Sequence, residues 1–205
     1  MDILNKIKSL NRPIVAVTGH LGSWELLSGM MAILFRDIPT QIVIREPDDP
    51  TISRIVKRLR GKYKHEIVPR DNSAPRIANT LKQNGMCAFL VDHNCGRRKA
   101  IFLPFLGEIA AVNFGPALMA VRTRAIVLPV FLTRGGDKGY ELHFFTTLDT
   151  LDCQGNLKDK VSCICKFYTG AVEEMVLRYP DQWYWIHNRW RTRPRTVYVD
   201  CVCGL

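Results

Sequence analysis

The sequence predicts one α/β domain, a sandwich with a largely parallel mixed sheet flanked by helices. Three observations carry this. Short apolar, β-branched runs alternate with longer amphipathic ones, the pattern of strands joined by crossover helices. "PIVAVT" and "MCAFLV" are apolar without alternation, as strands covered on both faces should be. Late in the chain, "AIVLPVFLTR" and "YELHFFTTL" flank the Gly-rich turn "GGDKG", which suits antiparallel pairing.

Taken in order, 13–18 reads as a strand and 24–35 as a largely apolar helix lying on the sheet. "TQIVIR" at 40–45 is a second strand, and a helix starting at the Asp-Pro signal runs to Gly61. "HEIVP" at 65–69 is a third strand, after which Ser73 caps a helix that ends near 83–85. Strand 86–91 leads into the polar loop "DHNCGRRK", "AIFLPFLG" is extended, and 113–123 is a helix. The last helix runs from about 158 to 178, with Val161, Ile164, Tyr168, Val172, Met175 and Tyr179 as its apolar stripe at three- and four-residue steps. The chain closes on "PDQWYWIHNRWRTRPR" and a short tail over 195–205.

A length of 205 residues suits a single domain over 1–205, and a hydrophobic fraction of 47% is too high for disorder. The formal charge of +10 favours anionic partners: nucleic acid, an anionic membrane, or an acidic or phosphorylated ligand. Nucleic-acid binding rests on charge alone, because no recognisable module accompanies it. The seven cysteines contain no C-x-x-C pair, so zinc ribbons and thioredoxin chemistry are not indicated, and reduced structural thiols are expected. Cys163 and Cys165 fall on the last helix, where side chains two apart diverge. No run reaches about 18 apolar residues and "MDILNKIKSLN" has no signal-peptide core, so any membrane contact is expected to be peripheral.

In a parallel sheet, ligands gather beyond the carboxyl ends of the strands. His20, Arg45, Arg70 and Asp92 fall at or just after such ends and should share one rim. His20 and Glu25, five apart across the turn "HLGSWE", can form a dyad in which the carboxylate fixes the imidazole tautomer and makes the other nitrogen a general base. The same spacing also fits a histidine at a helix start with a surface glutamate in its first turn. Nucleophile elbows, P-loops and dinucleotide fingerprints are missing from the sequence.

Several segments, in order over about 13–194, resemble the late acyltransferases of lipid A biosynthesis within the lysophospholipid acyltransferase superfamily. "TGHLGSWEL" resembles their His-x4-Glu block, "IREP" their Arg-Pro segment, and "LRGKY" carries Arg60 fifteen residues after Arg45. "CAFLVDHN" resembles the strand ending in Asp-Gln, "AIFLPFLGEIAA" the Phe-Phe-Gly-x-x-Ala block, and "RYPDQWYWIHNRWRTRP" the long Trp-, His- and Arg-rich ending. His93 and Asn113 stand where the family usually has Gln and Thr, and the family's usual N-terminal membrane-anchor section has no counterpart before residue 13.

The resemblance implies a glycerolipid acyltransferase-like fold and transfer of a fatty acyl group from a thioester, on acyl carrier protein or coenzyme A, to a hydroxyl of a lipid A-type glycolipid. His20 would take the hydroxyl proton and Glu25 would orient His20. Arg45 and Arg60 would bind anionic parts of donor or acceptor, with Asp92 orienting one of them. It implies no metal or cofactor, and places the protein peripherally on the cytoplasmic face of the bacterial inner membrane. "WYWIHNRWRTRPR" would dock there through its tryptophans and Arg189, Arg191, Arg193 and Arg195, unless the tryptophans fill the core. Two alternatives stand beside this reading: a sibling enzyme acylating a mannosylated phosphoinositide, an ornithine lipid or a lysophospholipid, and a non-catalytic relative that binds lipid or carrier.

Overall fold

A computed structural model describes residues 2–44, 49, 51, 54, 66–69 and 73–195. Within them, seven strands form one sheet in the order β3-β2-β4-β1-β7-β8, with β9 also on β7. The strands are β1 (Ile14–Thr18), β2 (Thr40–Ile44), β3 (Glu66–Pro69), β4 (Met86–Leu90), β7 (Ile126–Arg134), β8 (Tyr140–Phe144) and β9 (Leu148–Asp149). β3, β2, β4, β1 and β7 run parallel, and β8 and β9 are antiparallel to β7. The sheet is thus mixed and largely parallel, as the sequence predicts.

Helices cover both faces. Ile14 and Ala16 of β1 pack with Ile7 of α1 (Asp2–Ser9) and with Leu27 and Met31 of α2 (Trp24–Leu34). Val15 and Val17 face the other way, toward Ile77 of α3 (Ala74–Lys82), Ala117 and Ala120 of α4 (Gly115–Thr123), and α5 (Leu157–Arg178). Covered on both sides, β1 has no polar alternation to show.

The predicted stripe of α5 is buried at Val161, Ile164, Tyr168, Val172 and Met175, and each large apolar side chain so placed contributes roughly 1.5–3 kcal/mol. Tyr179 caps the helix end instead of continuing it. The start of α5 is fixed by a reciprocal cap: Asn156 Oδ1 accepts from the N–H groups of Lys158 and Asp159, and Asp159 Oδ2 accepts from the Asn156 N–H. Cys163 is exposed and Cys165 buried, diverging as expected. Ser73 takes the N-cap position of α3, but its side chain makes no capping bond and is buried in the wall of a cavity.

The segment expected only to be extended is a two-stranded antiparallel hairpin, β5 (Ala100–Phe105) and β6 (Glu108–Asn113). Its two-residue turn, Leu106-Gly107, has positive φ at both positions, 51° and 79°, the geometry that matches strand twist in tight hairpins. Leucine is not a residue such turns advertise. The turn is held by Glu173 of α5, whose Oε1 accepts from the Leu106 N–H at 2.5 Å.

Candidate active site

Register builds the site. β1 and β4 are parallel neighbours with Thr18 opposite Leu90, so His20 and Asp92, each two residues further on, leave the sheet at the same level. Asp92 is 2% exposed and receives three donors. The His20 backbone N–H reaches Oδ2 at 2.6 Å, the Trp183 indole N–H reaches Oδ2 at 3.0 Å, and His20 Nδ1 lies 2.8 Å from Oδ1. Burial alone pushes the Asp92 carboxyl up, but the His20 hydrogen bond and charge, with the Trp183 bond and the His20 backbone bond, outweigh it and hold the pKa near about 2. An ionised carboxylate only accepts, so His20 Nδ1 carries the proton of this hydrogen bond.

The turn after β1 is shaped to make this possible. Gly22 has φ +61°, and a Cβ there would collide with the carbonyl of Leu132 on β7. That closeness lets the Ser23 N–H donate to Leu132 O at 2.8 Å, stitching the turn to the carboxyl end of β7. On its other side the turn pairs with residues 182–192, a C-terminal strap: the Gly22 N–H donates to Gln182 O at 2.9 Å and the Tyr184 N–H to His20 O at 2.8 Å. Leu21 and Trp183 form the bridge between these bonds, which delivers Trp183 onto Asp92.

The strap then secures the loop after β4. His187 Nε2–H donates to Asp92 O at 3.2 Å, and the Thr192 N–H to Asn94 Oδ1 at 3.0 Å. Arg189, 1% exposed, donates through Nη1 to Ala111 O at 2.6 Å and to His93 O at 3.5 Å, with its guanidinium 5.2 Å from the centre of the Phe105 ring. Burial lowers the pKa of His187, which favours the neutral ring at this hydrogen bond.

His20 opens onto a cavity of about 540 Å³, within the roughly 300–1,000 Å³ typical of small-ligand sites. Ile77, Phe89, Leu90, Val91, Phe114 and Met119 give it apolar walls. The polar groups His20, Glu25, His93, Asn94 and Lys99 also line it. A base in the wall of a largely apolar cavity suits chemistry on the polar end of an apolar ligand.

Over residues 1–192 the chain matches the family described as bacterial lipid A biosynthesis acyltransferase. The chain belongs to that family. It is 26% identical over 95% of its length to the lipid A biosynthesis palmitoleoyltransferase of Escherichia coli, and 26% identical over 96% to the lauroyltransferase of the same organism. A phosphatidylinositol mannoside acyltransferase of Mycolicibacterium smegmatis is 22% identical over 93% of the chain. The chain spans 60–62% of the length of these three relatives.

Within this family member, the predicted site residues separate. His20 and Asp92 meet, as their shared rim requires. Arg45, Arg60 and Arg70 lie outside the described residues. Among the described residues Asp92 is enclosed by His20 and Trp183, with Oδ1 on His20 Nδ1. Glu25 is exposed in the first turn of α2 and lines the cavity beside His20. Strand register sets Asp92 on the Nδ1 side of the imidazole, and the five-residue step sets Glu25 in the first turn of α2, in the wall of the same cavity.

Trp183, His187 and Arg189 escaped the residue-level reading as parts of the site. Their signal was the run "QWYWIHNR" itself, which sets Trp183, Tyr184, Trp185 and His187 ahead of Arg189, but nothing local says which side chains turn inward. Of the four arginines expected at a surface, Arg191, Arg193 and Arg195 are exposed and Arg189 is core. Trp183 is buried and Trp185 is 52% exposed, so one tryptophan of that pair faces inward.

Proposed function

We propose that this protein transfers a fatty acyl group from a thioester, on acyl carrier protein or coenzyme A, to a hydroxyl of a lipid A-type glycolipid. The observation that carries the reading is the Asp92–His20 pair opening onto an apolar cavity in a member of this family. The acyl chain occupies the cavity, which leaves the thioester carbonyl at its polar edge. His20 Nε2 takes the acceptor hydroxyl proton as the oxygen attacks that carbonyl. The tetrahedral adduct collapses with cleavage of the carbon–sulfur bond, and the His20 proton passes to the departing thiolate. Asp92 balances the imidazolium in between, and Glu25 adds negative charge at the cavity wall. Arg45 and Arg60 serve the anionic groups of donor and acceptor.

The protein works peripherally on the cytoplasmic face of the bacterial inner membrane. Among the described residues no helix is long and apolar enough to cross a membrane. Tyr184, Trp185 and Ile186, exposed by 42%, 52% and 83%, give the strap an apolar tip beside the basic Arg191, Arg193 and Arg195. A second reading, transfer to a mannosylated phosphoinositide, is favoured by the similarity to the M. smegmatis enzyme.

The test follows thiol release and lipid mass. Wild-type protein with acyl carrier or coenzyme A thioesters and either acceptor should release free thiol and yield one lipid heavier by an acyl group. His20→Ala should do neither. Thiol release by His20→Ala at the wild-type rate would overturn the mechanism, and the heavier lipid identifies the acceptor.

A further inference from the structure

His93 is the residue after Asp92, and it is exposed toward the cavity. Its ring lies over that of His20, with centroids 4.0 Å apart and planes inclined by 33°. Behind it the His187 ring meets it edge-on at 5.3 Å, and its carbonyl is held by Arg189. The residues on either side are fixed as well, Asp92 O by His187 and Asn94 by the Thr192 N–H. The imidazole of His93 is thus a wall set in place by the strap. Other rings around His20 are further off and steeper, Trp24 at 5.3 Å and 61° and Tyr184 at 6.5 Å and 45°.

We infer that His93 is a positioning residue for His20: its overlying, tilted ring limits the swing of the catalytic imidazole about the Asp92 hydrogen bond and spreads the charge of the imidazolium formed in transfer. A hydrogen bond at Nδ1 holds one point of the ring but leaves rotation about that bond, and a flat neighbour on one face removes it. A π face also favours a cation above it. The role needs a planar aromatic ring and neither nitrogen of His93, which separates it from a proton relay. It rests on the acyl-transfer reading for its kinetic consequence, but the positioning can be read without turnover.

The experiment compares the full chain with its His93→Ala and His93→Phe variants. kcat and KM are taken from thiol release, and the His20 Nδ1 proton is followed as a downfield NMR resonance. Because His93 is exposed, both variants should fold. His93→Ala should lower kcat by about tenfold, the scale of a loosened reacting group, with KM unchanged. His93→Phe should recover most of that loss. The Nδ1 resonance should stay sharp in wild type and His93→Phe and broaden by exchange in His93→Ala. Wild-type kcat in His93→Ala, a His93→Phe variant as slow as His93→Ala, or a resonance equally sharp in all three would overturn the inference. If no thioester is turned over by any form while the resonances keep the expected order, the acyl-transfer reading fails and the positioning stands.

Discussion

Replacing Asp92 by Asn keeps the shape of the side chain and inverts its chemistry. Three hydrogens point at the carboxylate: the His20 backbone N–H and Trp183 Nε1–H at Oδ2, and the His20 Nδ1–H at Oδ1. Asn can offer its oxygen to the first two, which leaves its NH2 facing His20 Nδ1. That nitrogen must then become the acceptor, and the ring proton moves to Nε2, where the base is needed. The imidazole stays in place in the wrong tautomer. The expected cost is about 10²–10⁴-fold in kcat, between the usual share of a general base and the loss seen when a triad carboxylate becomes an amide.

The same substitution has a stability signature with a definite sign. Asp92 titrates at about 2 when folded, against an ordinary 3.8, because the hydrogen bonds and charge of His20 with the Trp183 bond overcome burial. A depressed carboxyl contributes stability that is full above the unfolded value and lost as pH falls through the folded one. At 1.36 kcal/mol per unit, the difference corresponds to about 2 kcal/mol at neutral pH. For a chain of this length that is roughly 4–8 °C in Tm. Melting curves should therefore place wild type above Asp92→Asn at pH 7, with the gap closing between pH 4 and pH 2. Thiol release measured beside them separates tautomer from fold. An Asn variant within threefold of wild-type kcat, or a gap independent of pH, would refute the reasoning.

Glu25→Gln removes a charge from an exposed cavity wall and should slow thiol release by about tenfold, less than Asp92→Asn, because the tautomer of His20 is left alone. Gly22→Ala sets a Cβ against Leu132 O at φ +61° and should lower the urea unfolding free energy by at least about 2 kcal/mol. Arg189→Met leaves the buried carbonyl of Ala111 without its donor and should cost about 1–3 kcal/mol in the same assay, whereas Arg191→Gln should change it by less than about 0.5 kcal/mol. Replacing Trp185 and Ile186 with Ser should weaken flotation with anionic vesicles at every salt concentration, while glutamine at Arg191, Arg193 and Arg195 should weaken it mainly at low salt.

The parallel sheet was legible because its signal is local: β1 and β4 are apolar on both faces, and the stripe of α5 repeats at helical steps. The β5–β6 hairpin was missed because its turn is Leu106-Gly107, whose positive φ at leucine is held by Glu173, a residue 67 positions away. His20 was legible from its place after a buried strand. Its contact with Asp92 was not, since the two residues lie 72 apart and only the Thr18–Leu90 register brings them to one level. Arg189 was misread because composition marks arginine as surface, and no local pattern reveals that Ala111 O and the Phe105 ring await it.

That buried arginine bears on why the site holds together. A guanidinium in the core is costly to desolvate, and an apolar side chain of similar volume is often as stable or more so. What methionine cannot do is donate in two directions. Arg189 reaches Ala111 O on the β6 hairpin strand and His93 O on the loop after β4, while the strap carrying it also supplies Trp183 and His187 to Asp92. The strap thereby fixes both ends of the Asp92–His93 dipeptide against the hairpin, and its bridge at Leu21–Trp183 fixes His20 against the same segment. The two halves of the acid–base pair come from different strands, and sheet register alone sets only their level. Their approach to 2.8 Å is completed by the strap. Its outward residues Tyr184, Trp185 and Ile186 follow directly on Trp183, so a lipid surface that meets this tip presses on the element that holds the carboxylate against the base.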